Sequence, residues 1–141
     1  MFDFRWEAAR LAAELARAAT DRAVVCLGCT LVGESHGRGQ AAALLTLSKP
    51  PLDMAQVELG RLLLVVSLDT VSANGYARQC AEAEVPEFWR FDLEEGLVER
   101  LYRPIAGLYR RRVPILPGEA TGLVALPGVR VIPLLAAFRN G

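Results

Sequence analysis

Lysine is almost missing from this sequence. Of its 16 basic residues one is Lys49, which leaves fifteen arginines, so any mechanism that needs a lysine has a single candidate. A skew of this kind more often follows genome composition than selection of guanidinium for a task. Net charge is missing as well, because 16 acidic residues cancel the 16 basic ones. No overall field draws the chain to nucleic acid or to an anionic membrane. Long apolar runs are absent too. The most apolar tract, Leu62 to Val66, falls far short of the ~20 residues a membrane-spanning helix needs. The opening Met1-Phe2-Asp3-Phe4-Arg5-Trp6 lacks the basic lead and apolar run of a secretory signal, so the expected location is cytoplasmic, with no membrane partner. Cysteine is sparse and odd in number, 3 in all, which does not suggest a disulfide framework.

What is present describes an ordinary folded domain. The 141 residues, with 52% hydrophobic and 23% charged side chains, fit one domain spanning 1–141 that needs no staples to hold a core. Residues 4–20 read as an amphipathic helix. Ala8, Leu11, Ala12, Leu15 and Ala19 fall on one face, and Glu7, Arg10, Glu14, Arg17 and Asp21 on a solvated other.

Strand patterns follow at 23–26, 30–32 and 42–47, with a polar, glycine-rich turn or loop from Glu34 to Gly39. Leu62 to Leu68 is apolar at nearly every position, as a strand covered on both faces requires. A helix is expected over 71–84 from the Ala73, Tyr76, Ala77, Cys80 stripe, although Gly75 weakens it. From Val85 onward the pattern is a meander, with strands at 88–91, 97–102, 108–113, 123–124 and 129–132, and a closing helical turn at 134–138. No internal repeat or linker interrupts this series, which predicts one α/β domain with a mixed sheet.

Four short blocks in order carry a resemblance. Val85-Pro86-Glu87-Phe88-Trp89 with Phe91-Asp92, then Val98-Glu99 with Tyr102-Arg103-Pro104, then Leu116-Pro117-Gly118-Glu119, then Leu126-Pro127-Gly128-Val129 resemble the closing portion of the bacterial Uma-two family of restriction-endonuclease-like proteins. The earlier elements, at 4–20, 41–47, 62–68 and 71–84, match the family's helix, two core strands and helix more loosely. The β-hairpin that usually precedes the family's first helix has no counterpart. The resemblance implies a PD-(D/E)xK nuclease-like fold: a mixed central β-sheet flanked by helices, with a C-terminal antiparallel β-meander.

It also implies a chemistry whose residues are missing. Phosphodiester hydrolysis on such a fold needs divalent cations held by carboxylates on adjacent strands, with a lysine to orient the attacking water. Where the family has its first acid, this chain has Gln40-Ala41-Ala42-Ala43. Gly60-Arg61 stands where a second Pro-Asp pair opens the next strand. Leu64-Val65-Val66-Ser67 replaces the run holding the central glutamate, and Tyr76 with Arg78 occupies the helix position of the lysine. Ala42, Val65, Ser67, Tyr76 and Arg78 thus outline a degenerate pocket, and no catalytic residue, metal or other cofactor is expected there.

Rival readings follow from the remaining polar residues. Glu34 and Asp69, with His36 nearby or with Glu7 or Glu14, would be the relocated acids of a Mg²⁺-dependent endonuclease; the blander reading makes them solvated loop and helix residues. Cys26-Leu27-Gly28-Cys29 has the spacing of half a zinc knuckle, which His36 and Cys80 would complete. An extended run, however, points residues three apart to opposite faces. Arg110-Arg111-Arg112 beside Tyr109 would contact phosphates, or else form a solvated hairpin face paired with Glu94, Glu95 and Glu99. Trp89 and Phe91 are expected in the core, and Trp6 either buried or in a dimer contact. The leading expectation is a non-catalytic interaction or scaffold protein, a homodimer or the partner of an intact relative, with DNA as the weaker candidate.

Overall fold

The computed structural model describes residues 4–19, 22–27, 31–32, 45–48, 57–58, 61–68, 71–92 and 95–134. Twelve elements follow one another: α1 (Phe4–Ala18), β1 (Val24–Leu27), β2 (Leu31–Val32), β3 (Leu45–Ser48), β4 (Val57–Glu58), β5 (Leu62–Leu68), α2 (Val71–Glu82), β6 (Glu87–Asp92), β7 (Leu97–Ile105), β8 (Leu108–Ile115), β9 (Thr121–Gly122) and β10 (Arg130–Val131). Six of the strands form a mixed sheet in the order β1-β3-β5-β6-β7-β8. Within it β1, β3 and β5 run antiparallel, β5 and β6 are parallel, and β6, β7 and β8 form an antiparallel meander. The parallel step follows from α2, which carries the chain back across the sheet between β5 and β6, as a parallel pair requires. Two small ladders accompany it among the described residues: β9 with β10 antiparallel, and β2 with β4 parallel.

Each face of the sheet is covered, and this explains the apolar run of β5. On one side Leu47, Leu64, Val66, Trp89, Phe91, Val98 and Ile115 pack against Leu11, Ala12, Leu15 and Ala19 of α1 and against the segment from Leu123 to Leu134. On the other, Leu62, Val65, Phe88 and Leu101 pack against Ala77, Cys80 and Val85. Strict alternation would put Leu62 and Leu64 on the same face. The register shifts between Leu47 and Ser48, so that Ser48 pairs with Leu62 while Leu47 pairs with Leu64. The extra residue, Leu63, is a β-bulge, and it turns Leu62 to the α2 side.

The apolar stripe of α1 lies where its spacing predicts, since Ala8, Leu11, Ala12, Leu15 and Ala19 are all buried. Glu7 does not. Expected on the solvated face, it is fully buried, because the chain around β10 folds over this part of α1. Arg10 ties the two together: its guanidinium donates to Ile132 O at 2.7 Å and also holds Glu7 at 3.0 Å and Glu14 at 2.5 Å. Arg22 adds a second link, donating to Pro127 O at 3.2 Å. Trp6 is half exposed, at 49%, so it is not the buried residue that one reading allowed.

The late strands differ in detail from their pattern. β9 falls at Thr121–Gly122 rather than 123–124, since Leu123 is a buried core residue after the strand has ended. Most of the expected helical turn at 134–138 lies outside the described residues. The β7–β8 hairpin closes through Ala106 and Gly107, with φ of 53° and 78°. Two positive φ values between paired Ile105 and Leu108 make a type I′ turn, whose twist suits a two-residue hairpin.

Candidate functional site

The degenerate pocket outlined by the sequence centres on β5, where the sheet passes from antiparallel to parallel pairing. Val65 is fully buried there, in one cluster with Cys80, Phe88 and Leu62 on the α2 side. Its paired neighbour on β3 is Thr46, and directly paired residues share a face. Two residues further along β5, Ser67 lies on that face and is also buried. Its register partner on β6 is Arg90. The positions next to Val65 are therefore a methyl-bearing hydroxyl and a serine, with no carboxylate beside them among the described residues.

Thr46 and Ser48 carry a further signature. Both are fully buried, and neither hydroxyl has a hydrogen-bond partner among the described residues. A buried hydroxyl without a partner is destabilising, so β3 contributes polarity to this side of the sheet without using it locally.

A charged row crosses the same face further along. Arg90 on β6 pairs in register with Glu99 on β7. Glu99 Oε1 accepts from Arg90 Nε at 3.2 Å and from a terminal nitrogen of the same guanidinium. Its other oxygen accepts from Arg112 Nε on β8 at 2.6 Å. Burial pushes the Glu99 carboxyl up, but the hydrogen bonds and charges of Arg90 and Arg112 outweigh it and hold the group below its ordinary value of 4.5. A cation seeking Glu99 would have to displace two guanidiniums. Glu99 also stands two strands from Val65 across the sheet, on the order of 10 Å at the usual strand spacing.

The remaining sequence candidates scatter. Arg78 projects from α2 into solvent, 69% exposed, and approaches Glu82 at 4.0 Å. It belongs to the outer face of the helix and not to the buried row. Tyr76 is part of α2, but its side chain lies outside the described residues, as do Ala42, Glu34, His36, Asp69 and Cys29. Glu7 and Glu14 are both bound to Arg10 on the α1 side, with the sheet between them and Val65. Cys26 lies in β1, paired with Thr46. Cys80 is buried in the α2-side cluster, where desolvation pushes its thiol up to about 12. Among the described residues no three His, Cys, Asp or Glu side chains gather as metal ligands do.

One residue carried only as part of a motif has the densest polar environment described. Glu87 is fully buried on the α1 side, beneath the segment that follows β8. Its Oε2 accepts from Trp89 Nε1 at 2.8 Å and from Arg100 Nε, and its Oε1 accepts from the backbone N–H of Val124 at 2.8 Å. Arg100 in turn stacks 4.5 Å from the centre of the Tyr102 ring. Three donors on one buried carboxylate make it a structural clamp. The i, i+2 spacing of Glu87 and Trp89, which puts both on one strand face, was the signal available in the sequence.

Tyr109 has a comparable role on the opposite side. Its hydroxyl donates to Val85 O at 2.8 Å, and its ring centre lies 6.4 Å from that of Phe88. Burial first, with Cys80 and Glu87 adding to it, pushes the phenol up, which suits a permanent donor. Tyr109 packs on the α2 side whereas Val113 packs on the α1 side, although the two lie four positions apart and alternation would put them on one face. Strand alternation breaks between the two, opposite Arg103, whose φ is 59°. Comparison with known proteins adds no identity: no family model matches the chain, and no curated protein matches it either.

Proposed function

We propose that this chain is a degenerate, non-catalytic relative of the Uma-two nucleases that works as an interaction or scaffold protein. The observation that carries the reading is the surroundings of Val65. At the position where the resemblance calls for the central metal-binding acid, an aliphatic side chain is fully buried against Cys80 and Phe88, with Thr46 and Ser67 beside it. Hard divalent cations need several oxygen ligands, and Mg²⁺ sheds its waters reluctantly. Among the described residues no carboxylate in this row is free to replace them, because Glu99 is committed to Arg90 and Arg112.

The element order agrees with the restriction-endonuclease-like reading. A helix precedes the core strands, a second helix joins β5 to the parallel β6, and an antiparallel meander follows. The position of Glu7 and Glu14 across the sheet counts against their serving as relocated acids. A homodimer or an intact relative of the family is the proposed partner. No helix among the described residues is long and apolar enough to cross a membrane.

Titration with Mg²⁺ and Mn²⁺ by calorimetry, beside a plasmid-nicking assay, tests the proposal. The expected result is neither saturable binding nor nicking. Nicking that needs metal and is abolished by Glu34→Ala or Asp69→Ala would replace it with the Mg²⁺-dependent endonuclease. Stoichiometric zinc in the purified protein would favour a zinc-stabilised binding module on Cys26 and Cys29 instead.

A further inference from the structure

We propose that β8 is a docking edge that takes up, by strand addition, an extended acidic segment of a partner protein. The inference rests on reading the chain as an interaction protein. Its starting point is position: β8 is the terminal strand of the six-stranded sheet, so among the described residues no strand pairs with its outer side. A free edge of eight residues offers main-chain donors and acceptors to an incoming strand.

Charge decides what that strand must be. The chain is neutral as a whole, but the hairpin from Leu97 to Ile115 carries Arg100, Arg103, Arg110, Arg111 and Arg112 against Glu99 alone. Arg100 is engaged by Glu87 and Arg112 by Glu99. Arg103, Arg110 and Arg111 are exposed and form no ion pair among the described residues. A second copy of this chain is a poor occupant, since two-fold pairing along β8 would set its run of arginines against an identical run. Like charges directly opposite on neighbouring strands are destabilising. An acidic strand meets the opposite condition.

Geometry favours an extended peptide over a nucleic-acid backbone. Arg112 lies on the α2 side with Glu99, and its strand neighbour Arg111 points to the other face. A phosphate chain lying on one face would reach only one of them. An added strand continues the pleat and sends alternate side chains to both faces, so acids along it meet both arginines. Ile105 and Leu108 at the hairpin tip, 51% and 48% exposed, offer apolar contact at one end of the strand. Pro114 has no N–H to donate, which limits the useful edge to Leu108–Val113. The partner segment is therefore short, extended, acidic and interspersed with aliphatic residues.

The test titrates the full chain, observed by amide NMR, with a blocked synthetic peptide repeating Glu-Glu-Val-Val, which as a strand carries acids on both faces. A peptide with lysine in place of glutamate and a single-stranded DNA oligonucleotide serve as the other probes. The glutamate peptide is expected to shift and protect from exchange the amides of Arg110 to Val113. The double variant Arg110→Glu, Arg111→Glu is expected to weaken it by about tenfold, as the loss of a few exposed ion pairs would, and to gain affinity for the lysine peptide. Both substituted residues are exposed, and a thermal melt confirms that the variant folds. Binding of the oligonucleotide alone, failure of the glutamate peptide to bind, or binding that leaves β8 unshifted or survives the double variant overturns the inference. A nicking assay on the same preparation separates the two claims: cutting would sink the non-catalytic reading, whereas absent or misplaced peptide binding would sink only the docking edge.

Discussion

Glu87 and Val124, separated by 37 residues, are joined by a 2.8 Å hydrogen bond from the Val124 N–H to the buried carboxylate. The same carboxylate holds Arg100 and the Trp89 indole, so one side chain fastens the segment after β8 to two strands of the sheet. That segment supplies Leu123, Leu126, Val129 and Val131 to the α1-side core. The clamp thus stands between the meander and the layer that closes it.

Removal of this carboxylate strands a guanidinium and two N–H groups. Glu87→Ala is expected to cost about 3–5 kcal/mol, the range for breaking a buried ion pair. Glu87→Gln, which keeps an acceptor, should cost less. Urea unfolding of both variants checks the order; equal and small losses would show that the three contacts contribute little.

Glu99 gives the protein an acid-sensitive contact. Its carboxyl is held below the ordinary 4.5 in the folded state, so the stabilisation is complete above that value and is lost as pH falls through the lower folded value. Glu99→Gln should therefore be less stable than the parent at neutral pH, with the gap closing below 4.5. Because Arg112 is 66% exposed, added salt should narrow the gap as well. Urea midpoints across the acid range read out both effects.

The Cys80 thiol should resist alkylation. With its ionisation pushed up to about 12 by burial, almost no thiolate exists at mildly alkaline pH, and reagent access is closed. Peptide mapping after iodoacetamide treatment should find Cys80 unmodified in native protein and modified in urea. Rapid native labelling at this position would mean that α2 opens readily.

Thr46 offers a stabilising substitution. Its hydroxyl is buried without a partner among the described residues, and valine has nearly its shape. Thr46→Val is expected to raise stability by about 1 kcal/mol, measured by urea or thermal unfolding. A loss of similar size would instead reveal an acceptor served by that hydroxyl.

Ala106 occupies a position better suited to asparagine. At φ 53° beside Gly107 it fills the first central place of a type I′ turn, where Asn-Gly is preferred. Ala106→Asn should add about 0.5–1 kcal/mol by relieving the left-handed strain of alanine. Slower amide exchange in the β7–β8 hairpin would accompany it.

Local pattern made much of this architecture legible in advance. The five apolar residues of α1 had helical spacing, β5 had the unbroken apolar run of a strand covered twice, and Trp89 and Phe91 had the alternation of a core-facing strand. Each of these depends on the period of a single element, which the chain carries in its own order of residues. Glu99 as a partner of Arg112 was also within reach, because both belong to neighbouring strands of one hairpin.

Tertiary structure alone decided the rest. Glu7 is buried because a segment more than a hundred residues later covers it, and no helical wheel registers that. Leu62 turns away from Leu64 because β3 and β5 pair with one residue in excess, a property of two strands together. The clamp on Glu87 needs Arg100 and Val124, which meet only when the sheet closes. Burial and pairing arise from the approach of segments distant along the chain, so the composition of any one segment leaves them open. The absence of acids in the Leu64-Val65-Val66-Ser67 run was written in the sequence; that Thr46 and Phe88 flank Val65 on the neighbouring strands was settled by the order in which the strands lie side by side.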